Sequence, residues 1–273
     1  MSVDRIAFIG AGNMARAMAG GLLRAGASPT SLIASDPMVA QRENMATLGI
    51  STTDDNATAV AGADVVVLAV KPQVLGAVVT GLRSQLSAGQ LVLSIAAGVP
   101  TSAIETWCAR RLAVVRCMPN TPALFGAGIS ALFANGRVGP HQRALAERVL
   151  RAAGEVVWVD DESMLDAVTA VSGSGPAYFF YLMEGMIEAA KSLGLDDALA
   201  RQLTLATAYG SAIMARESAE QPAQLRRNVT SPGGTTERAL GILDEAHVRA
   251  TIEAAVRAAA ARSRELAAEF GAR

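Results

Sequence analysis

The residues best placed to do chemistry stand near the N-terminus, where Gly10, Gly12 and Ala15 form a G-x-G-x-x-A turn directly after the apolar run Ile6-Ala7-Phe8-Ile9. Such a turn between a strand and a helix does three physical jobs. The first glycine permits the tight reversal, the second lets backbone N–H groups approach a pyrophosphate, and the small third residue allows helix and strand to pack closely. The helix pattern that follows, Met14, Ala17, Met18, Gly21 and Leu22, would point unpaired N–H groups and a positive dipole end at the phosphates. Dinucleotide binding is the chemistry implied, against the alternative of a tight turn in a nucleotide-free α/β domain.

Position 36 bears on which dinucleotide. Leu32-Ile33-Ala34-Ser35 reads as a second strand ending at Asp36-Pro37. An acidic group there hydrogen-bonds a ribose 2′-hydroxyl and repels a 2′-phosphate, which favours NAD. Arg42, on the helix expected near Val39–Leu48, either curls back to a phosphate or is a solvated helix charge. NADPH and NADH both stay open.

Two further segments read as anion sites, Val171-Ser172-Gly173-Ser174-Gly175-Pro176-Ala177-Tyr178 and Asn228-Val229-Thr230-Ser231-Pro232-Gly233-Gly234-Thr235-Thr236-Glu237. A glycine-rich turn opening a helix exposes backbone N–H groups that can hold a carboxylate or phosphate. Simple Ser/Thr capping with an early proline would look the same in either segment alone. Their recurrence in one helical region tilts the reading toward anion capture.

The acids are few: lysines only at 71 and 191, histidines only at 141 and 247. Reducing a ketone requires a strong proton donor at the oxygen, commonly His or Lys. His141 and His247 read as helix-surface residues, Lys191 as a partner for helix-terminal carbonyls, and Lys71 as a rim residue that can touch a cofactor. A protonated imine carries its charge already and becomes a neutral amine on accepting hydride. Its reduction needs little beyond positioning. The inventory is compatible with C=N reduction.

The elements that must position these groups follow from the apolar runs. Val65–Val70, Leu91–Ile95 and Ala113–Met118 have the continuous character of strands covered on both faces. They stop at Lys71-Pro72, Ala96-Ala97-Gly98 and Pro119-Asn120-Thr121-Pro122. In an open parallel sheet, ligands lie at the carboxyl ends of strands, so these breaks and Gly10–Ala15 should share one rim. A short helix at Asp55–Ala61, a strand at Ile129–Phe133, a helix at His141–Ala152 and a strand at Val156–Val159 complete the first half. Beyond Asp160–Ser163 only helical periodicity remains: Tyr178–Ser192, Asp197–Ala215 and a long helix over Glu245–Phe270. In the last, Val248, Ile252, Ala255, Val256 and Ala259 lie opposite Arg249, Glu253 and Arg257. The domains are expected at 1–162 and 163–273.

Bulk composition excludes other classes. A net charge of -1 offers no basic stripe for nucleic acid. Apolar content of 51% with 4% aromatics describes an Ala/Val/Leu-rich chain, a kind that often buries helix faces between subunits as well as within them. Cys108 and Cys117 have no metal or disulfide spacing, so no metal is expected. Asp4 and Arg5 interrupt the start with no apolar run after them, and the longest uncharged runs hold Gly, Pro, Asn or Ser. A soluble cytoplasmic protein with no signal peptide and no membrane span is expected.

Taken together, these segments resemble pyrroline-5-carboxylate reductase nearly end to end. The likeness is carried by Phe8–Ala15, Ala69-Val70-Lys71-Pro72, Ala96-Ala97-Gly98, Arg116–Pro122, Asp166-Ala167-Val168-Thr169, Ser172–Tyr178 and, most specifically, Ser231–Thr236. The resemblance implies hydride transfer from NADPH or NADH to 1-pyrroline-5-carboxylate, the last step of L-proline biosynthesis. It implies an α/β fold, an N-terminal Rossmann domain followed by an all-α dimerisation domain, with the active site at a homodimer interface and larger rings built from dimers. By the same likeness Gly10, Gly12, Asn13, Met14, Asn56, Ala69, Lys71, Pro72, Ala97 and Asn228 would line the cofactor. Ser35 and Asp36 fall where the family reads the 2′ position, and Asp36 departs from the Ser or Arg that members often carry. Ser231, Gly233, Gly234, Thr235 and Thr236 would hold the substrate carboxylate and ring nitrogen, with Thr236 as the catalytic hydroxyl. Glu162 matches a position near the proline site. One alternative is a β-hydroxyacid dehydrogenase, which needs a lysine that Pro176–Gly185 lacks. Another is a nucleotide-binding or vitamin B6-handling protein without turnover.

Overall fold

Uninterrupted apolar strands are stable only where both sheet faces are covered, and the computed structural model, which describes residues 4–271, shows that arrangement. Strands and helices alternate as β1 (Ile6–Ile9), α1 (Asn13–Arg24), β2 (Leu32–Ser35), α2 (Val39–Ala46), β3 (Ser51–Thr53) and α3 (Asn56–Val60). The alternation continues with β4 (Val65–Leu68), α4 (Pro72–Gly81), β5 (Leu91–Ser94), α5 (Thr101–Cys108) and β6 (Ala113–Met118). Then come β7 (Gly128–Ala134), α6 (Pro140–Arg151) and β8 (Gly154–Trp158).

All the strands form one sheet in the order β3-β2-β1-β4-β5-β6-β7-β8. The first six strands run parallel in the doubly wound order of dinucleotide-binding sheets. β7 is antiparallel to β6, because the short turn Thr121–Phe125 leaves no length for a crossover helix. Alternate residues supply the two cores. Ile6, Phe8, Val67, Leu93 and Val115 pack with Met18 of α1 on one face. Ala7, Ile9, Val66, Val92 and Val114 pack with Leu75, Val79 and Ile104 of α4 and α5 on the other.

The chain divides into two compact units, one running to Ser174 and resuming at Ala258, the other Gly175–Arg257. The change of texture at residue 162 and the limit of the first unit therefore differ by about one helix. The intervening α7 (Met164–Val168) packs on the first unit, with Leu165 fully buried and Asp166 accepting a 2.6 Å hydrogen bond from Ser263. Ser263 and the buried Phe270 belong to the last part of the C-terminal helix. A distant stretch of sequence thus completes the first core.

The second unit contains α8 (Gly175–Ser192), α9 (Asp197–Glu217), α10 (Pro222–Asn228), α11 (Thr235–Glu245) and the first part of α12 (Val248–Gly271). Helices replace the sheet as the texture predicts, with one correction. The long helix expected over Glu245–Phe270 starts only at Val248: α11 closes through His247 N–H to Asp244 O, and His247 is left-handed at φ 52°. No Gly or Pro marks that break. Large apolar side chains of α8 and α9 lie open in the single chain, among them Phe179, Tyr181 and Tyr209. Lys191 pairs with Asp197 at 2.7 Å rather than with terminal carbonyls.

Candidate active site

At the end of β1 the chain turns through Gly10 at φ +99°, where a Cβ would lie 2.7 Å from the Ala69 carbonyl oxygen. Only glycine fits beside the end of β4. Gly12 has the opposite surroundings: a Cβ there would meet nothing within 4 Å, so the space in front of α1 is open. Gly12 is also the N-cap of α1, with no side-chain cap and no acidic residue in the first turn. Among the described residues the N–H groups of Gly12, Asn13 and Met14 find no acceptor. Unpaired donors, a positive dipole end and free space make this helix terminus a fit for a pyrophosphate.

Beside it lies the corner expected to read the ribose. Asp36 holds two backbone N–H groups, Ala11 on Oδ2 and Met38 on Oδ1, each at 2.9 Å. Its carboxylate is therefore fixed against the glycine turn. Ser35 is fully buried and donates its hydroxyl hydrogen to Asn56 Oδ1 at 2.6 Å, which ties β2 to the start of α3. Arg42 bends back as one sequence alternative has it, but its Nη1 donates to the Asp36 and Pro37 carbonyls at 2.7 and 3.0 Å. The rim continues at β4, where Lys71 caps α4 ahead of Pro72 and is exposed, and at β5, where Ala97 is half-buried between buried Ala96 and Gly98.

Two residues at this rim, Thr101 and Arg116, were not singled out as site residues from the sequence; both meet Glu162, which was. Glu162 Oε1 accepts the Thr101 N–H at 2.8 Å and Arg116 Nη1 at 3.2 Å, while Oε2 accepts the Thr101 hydroxyl at 2.9 Å. The available signal was Arg116 itself, a lone charge inside the apolar strand Ala113–Met118, which must find a partner once buried.

The first glycine-rich segment does not form the expected open turn. Residues 164–168, 169–173 and 175–192 follow one another as α-, π- and α-helix, so its N–H groups serve a helical run. The first of its two glycines answers to packing: a Cβ on Gly173 would lie 2.3 Å from the methyl of Met118 at the end of β6.

In the second unit, Ser231-Pro232-Gly233-Gly234 does turn directly into α11, with Gly233 at φ +71°. Two of its donors are taken internally. Gly233 N–H bonds Glu237 Oε2 at 2.7 Å and Gly234 N–H bonds the Ser231 carbonyl at 3.0 Å. The open donors are the N–H groups of Thr235, Thr236 and Glu237 in the first turn of α11. Asn228, at the end of α10, accepts from Gln224 and donates to Glu220 at 2.7 and 2.8 Å. Of the four lysines and histidines, Lys71 and His141 are exposed, Lys191 is paired, and His247 marks the helix break. Among the described residues no cluster of His, Cys, Asp or Glu could hold a metal, and no helix is long and apolar enough to cross a membrane.

Comparison with known proteins agrees with both halves of this picture. Residues 5–98 match the family described as "NADP oxidoreductase coenzyme F420-dependent", and residues 162–266 match "Pyrroline-5-carboxylate reductase dimerisation". The chain is 51% identical to the pyrroline-5-carboxylate reductase of Pseudomonas aeruginosa over 272 residues, covering 99% of this chain and all of that one. The solved pyrroline-5-carboxylate reductase of Coxiella burnetii superposes with a TM-score of 0.91 at 43% identity, covering 97% of this chain and 99% of that chain. The Plasmodium falciparum pyrroline carboxylate reductase, solved with NADP bound, gives 0.89 at 29% identity over 98% and 99%. With a relative this similar along its whole length, the chain belongs to the pyrroline-5-carboxylate reductase family.

Proposed function

We propose that this protein reduces 1-pyrroline-5-carboxylate to L-proline with NADPH or NADH, acting in the cytoplasm as a homodimer or larger homo-oligomer. The observation that carries the reading is the likeness to the P. aeruginosa enzyme over 99% of the chain. The open, uncapped terminus at Gly12-Asn13-Met14 supports nucleotide binding independently. Uncovered aromatic side chains on α8 and α9, in the stretch matching a dimerisation family, support self-association.

Residue by residue, Gly10, Gly12, Asn13 and Met14 take the pyrophosphate. Asp36 faces the adenosine ribose, with Ser35 and Asn56 bracing that corner. Ala69, Lys71, Pro72 and Ala97 line the strand-end rim, and Asn228 completes the set. When bound, the reduced nicotinamide supplies the hydride that the imine carbon accepts. Ser231–Thr236 takes the substrate carboxylate at the open N–H groups of α11. The Thr236 hydroxyl accepts the N–H of the iminium ring and holds it in place. No strong acid is needed, because the iminium nitrogen already carries its proton and ends as a neutral amine. The half-buried rim and the absence of a spare buried Lys or His both suit that economy.

Kinetics with pyrroline-5-carboxylate against small 3-hydroxy acids test the reading. Turnover of the cyclic imine alone is expected. Turnover of a hydroxy acid alone would assign the chain to the dehydrogenase class instead.

A further inference from the structure

The segment Ile95–Pro100 leaves the sheet at the end of β5 and enters α5 at Thr101, carrying Ala97 along the nucleotide rim. Glu162 links its far end to the strand beside its near end. Arg116 is register partner to Ser94, the last residue of β5, and donates to Glu162 Oε1. Thr101, at the far end, gives the same carboxylate both its backbone N–H and its hydroxyl hydrogen. Between these anchors Gly98 sits at φ +75°, where a Cβ would lie 3.2 Å from the Leu266 Cβ of the C-terminal helix. The turn is therefore tied at its far end to Glu162, which is itself anchored on the strand beside its near end, and it is backed in the middle by α12.

The burial of the partners makes the clamp stiff. Arg116 and Thr101 are each about 5% exposed. A charge so buried has little water to fall back on, and a helix N-terminus adds attraction for the carboxylate that caps it. All three of these hydrogen bonds to Glu162 are charge-assisted, which gives them more strength and tighter geometry than neutral ones.

We propose that Glu162 is a positioning residue: it presets the Ala96–Gly98 turn to receive the nucleotide, acting through Thr101 and Arg116 rather than by touching substrate. This role rests on the reductase reading for its consequence in catalysis, but its structural half can be measured without substrate. A preset turn spares the nucleotide the cost of ordering it on binding. Loss of the clamp therefore weakens nucleotide binding and leaves substrate capture unchanged.

The test uses the full-length protein with Glu162→Ala, Glu162→Gln and Thr101→Val. Amide hydrogen exchange of residues 97–101 is followed in the nucleotide-free protein. Nucleotide affinity is then measured by fluorescence titration of NADPH and NADH, and KM is measured for pyrroline-5-carboxylate. Glu162→Ala should speed exchange at 97–101 and raise the nucleotide Kd about tenfold, the equivalent of one charge-assisted bond, with the substrate KM within about twofold. Glu162→Gln keeps an acceptor for Thr101 N–H and a donor for its hydroxyl, so it should recover most of the protection. Thr101→Val, which keeps the backbone bond, should shift both readouts in the same direction by about threefold or less. It carries the test should Glu162→Ala fail to fold. Native exchange and an unchanged nucleotide Kd, with only the substrate KM raised, would overturn the proposal and make Glu162 a substrate contact. A wild-type protein that binds nucleotide but forms no proline would sink the reductase reading alone, leaving the exchange result to decide the clamp.

Discussion

The Glu237 carboxylate accepts the N–H of Gly233 at 2.7 Å, inside the turn that opens α11. A carboxylate of the chain itself thus sits beside the open N–H groups that the proposed function assigns to the carboxylate of the substrate. Both are drawn to the same positive helix end. Replacing Glu237 by Ala removes that like charge and frees the Gly233 N–H as a further donor. KM for pyrroline-5-carboxylate should fall about three- to tenfold, while the melting temperature drops slightly with the loss of the cap. An unchanged KM would place the substrate carboxylate elsewhere.

Thr236 lies in the first turn of α11 and is half-buried. Its hydroxyl is proposed to accept the iminium N–H and to hold the ring in the orientation hydride transfer needs. Thr236→Ala should lower kcat by about 10–100-fold, and Thr236→Ser should restore most of it. Steady-state kinetics of the two variants decide this. Full activity in Thr236→Ala removes the hydroxyl from the mechanism.

Asp36 is pinned to the glycine turn by two backbone donors, which holds its charge at the ribose corner. Asp36→Ser should raise the ratio of kcat/KM for NADPH over NADH by about tenfold or more, because a like charge beside a 2′-phosphate is removed. The ratio measured in both proteins checks it. No change would show that another group, with Arg42 nearest in sequence, reads the ribose.

Burial pushes the Cys117 thiol far above its ordinary range, against the opposing pull of a hydrogen bond with Ser130. The folded state therefore keeps its proton while the unfolded chain loses it above about pH 8.5. The unfolded state then binds fewer protons, so stability falls as pH rises, by up to about 1.4 kcal/mol per pH unit for this thiol. Denaturant midpoints across the alkaline range should show the decline, and Cys117→Val should flatten it. Thiol reagents at neutral pH should label Cys117 only on unfolding; rapid native labelling would contradict the burial.

Much of the fold was legible in the chain because its information is local. Leu32–Ser35 and Ala113–Met118 are strands over the residues read from their apolar runs, and Gly10 is forced by the close approach of Ala69. Elements without that contrast were not legible. Thr101–Cys108 is short, and Ser51–Thr53 is a polar edge strand. The break at Ala246-His247 has no Gly or Pro to announce it. Within the site, single turns could be read, but links across the chain could not. Glu162 meets Arg116 and Thr101 across 46 and 61 positions, and only the sheet order brings them together. The first glycine segment misled for a related reason: Gly173 is small to admit Met118, a packing demand that looks like an anion turn in one dimension.

The most direct test mixes the purified protein with pyrroline-5-carboxylate and, in parallel, NADPH or NADH, following nucleotide oxidation and proline together. One proline should form per nucleotide oxidised, with NADH accepted at least as readily as NADPH given the fixed charge of Asp36. Nucleotide binding with no proline formed in either reaction would contradict it.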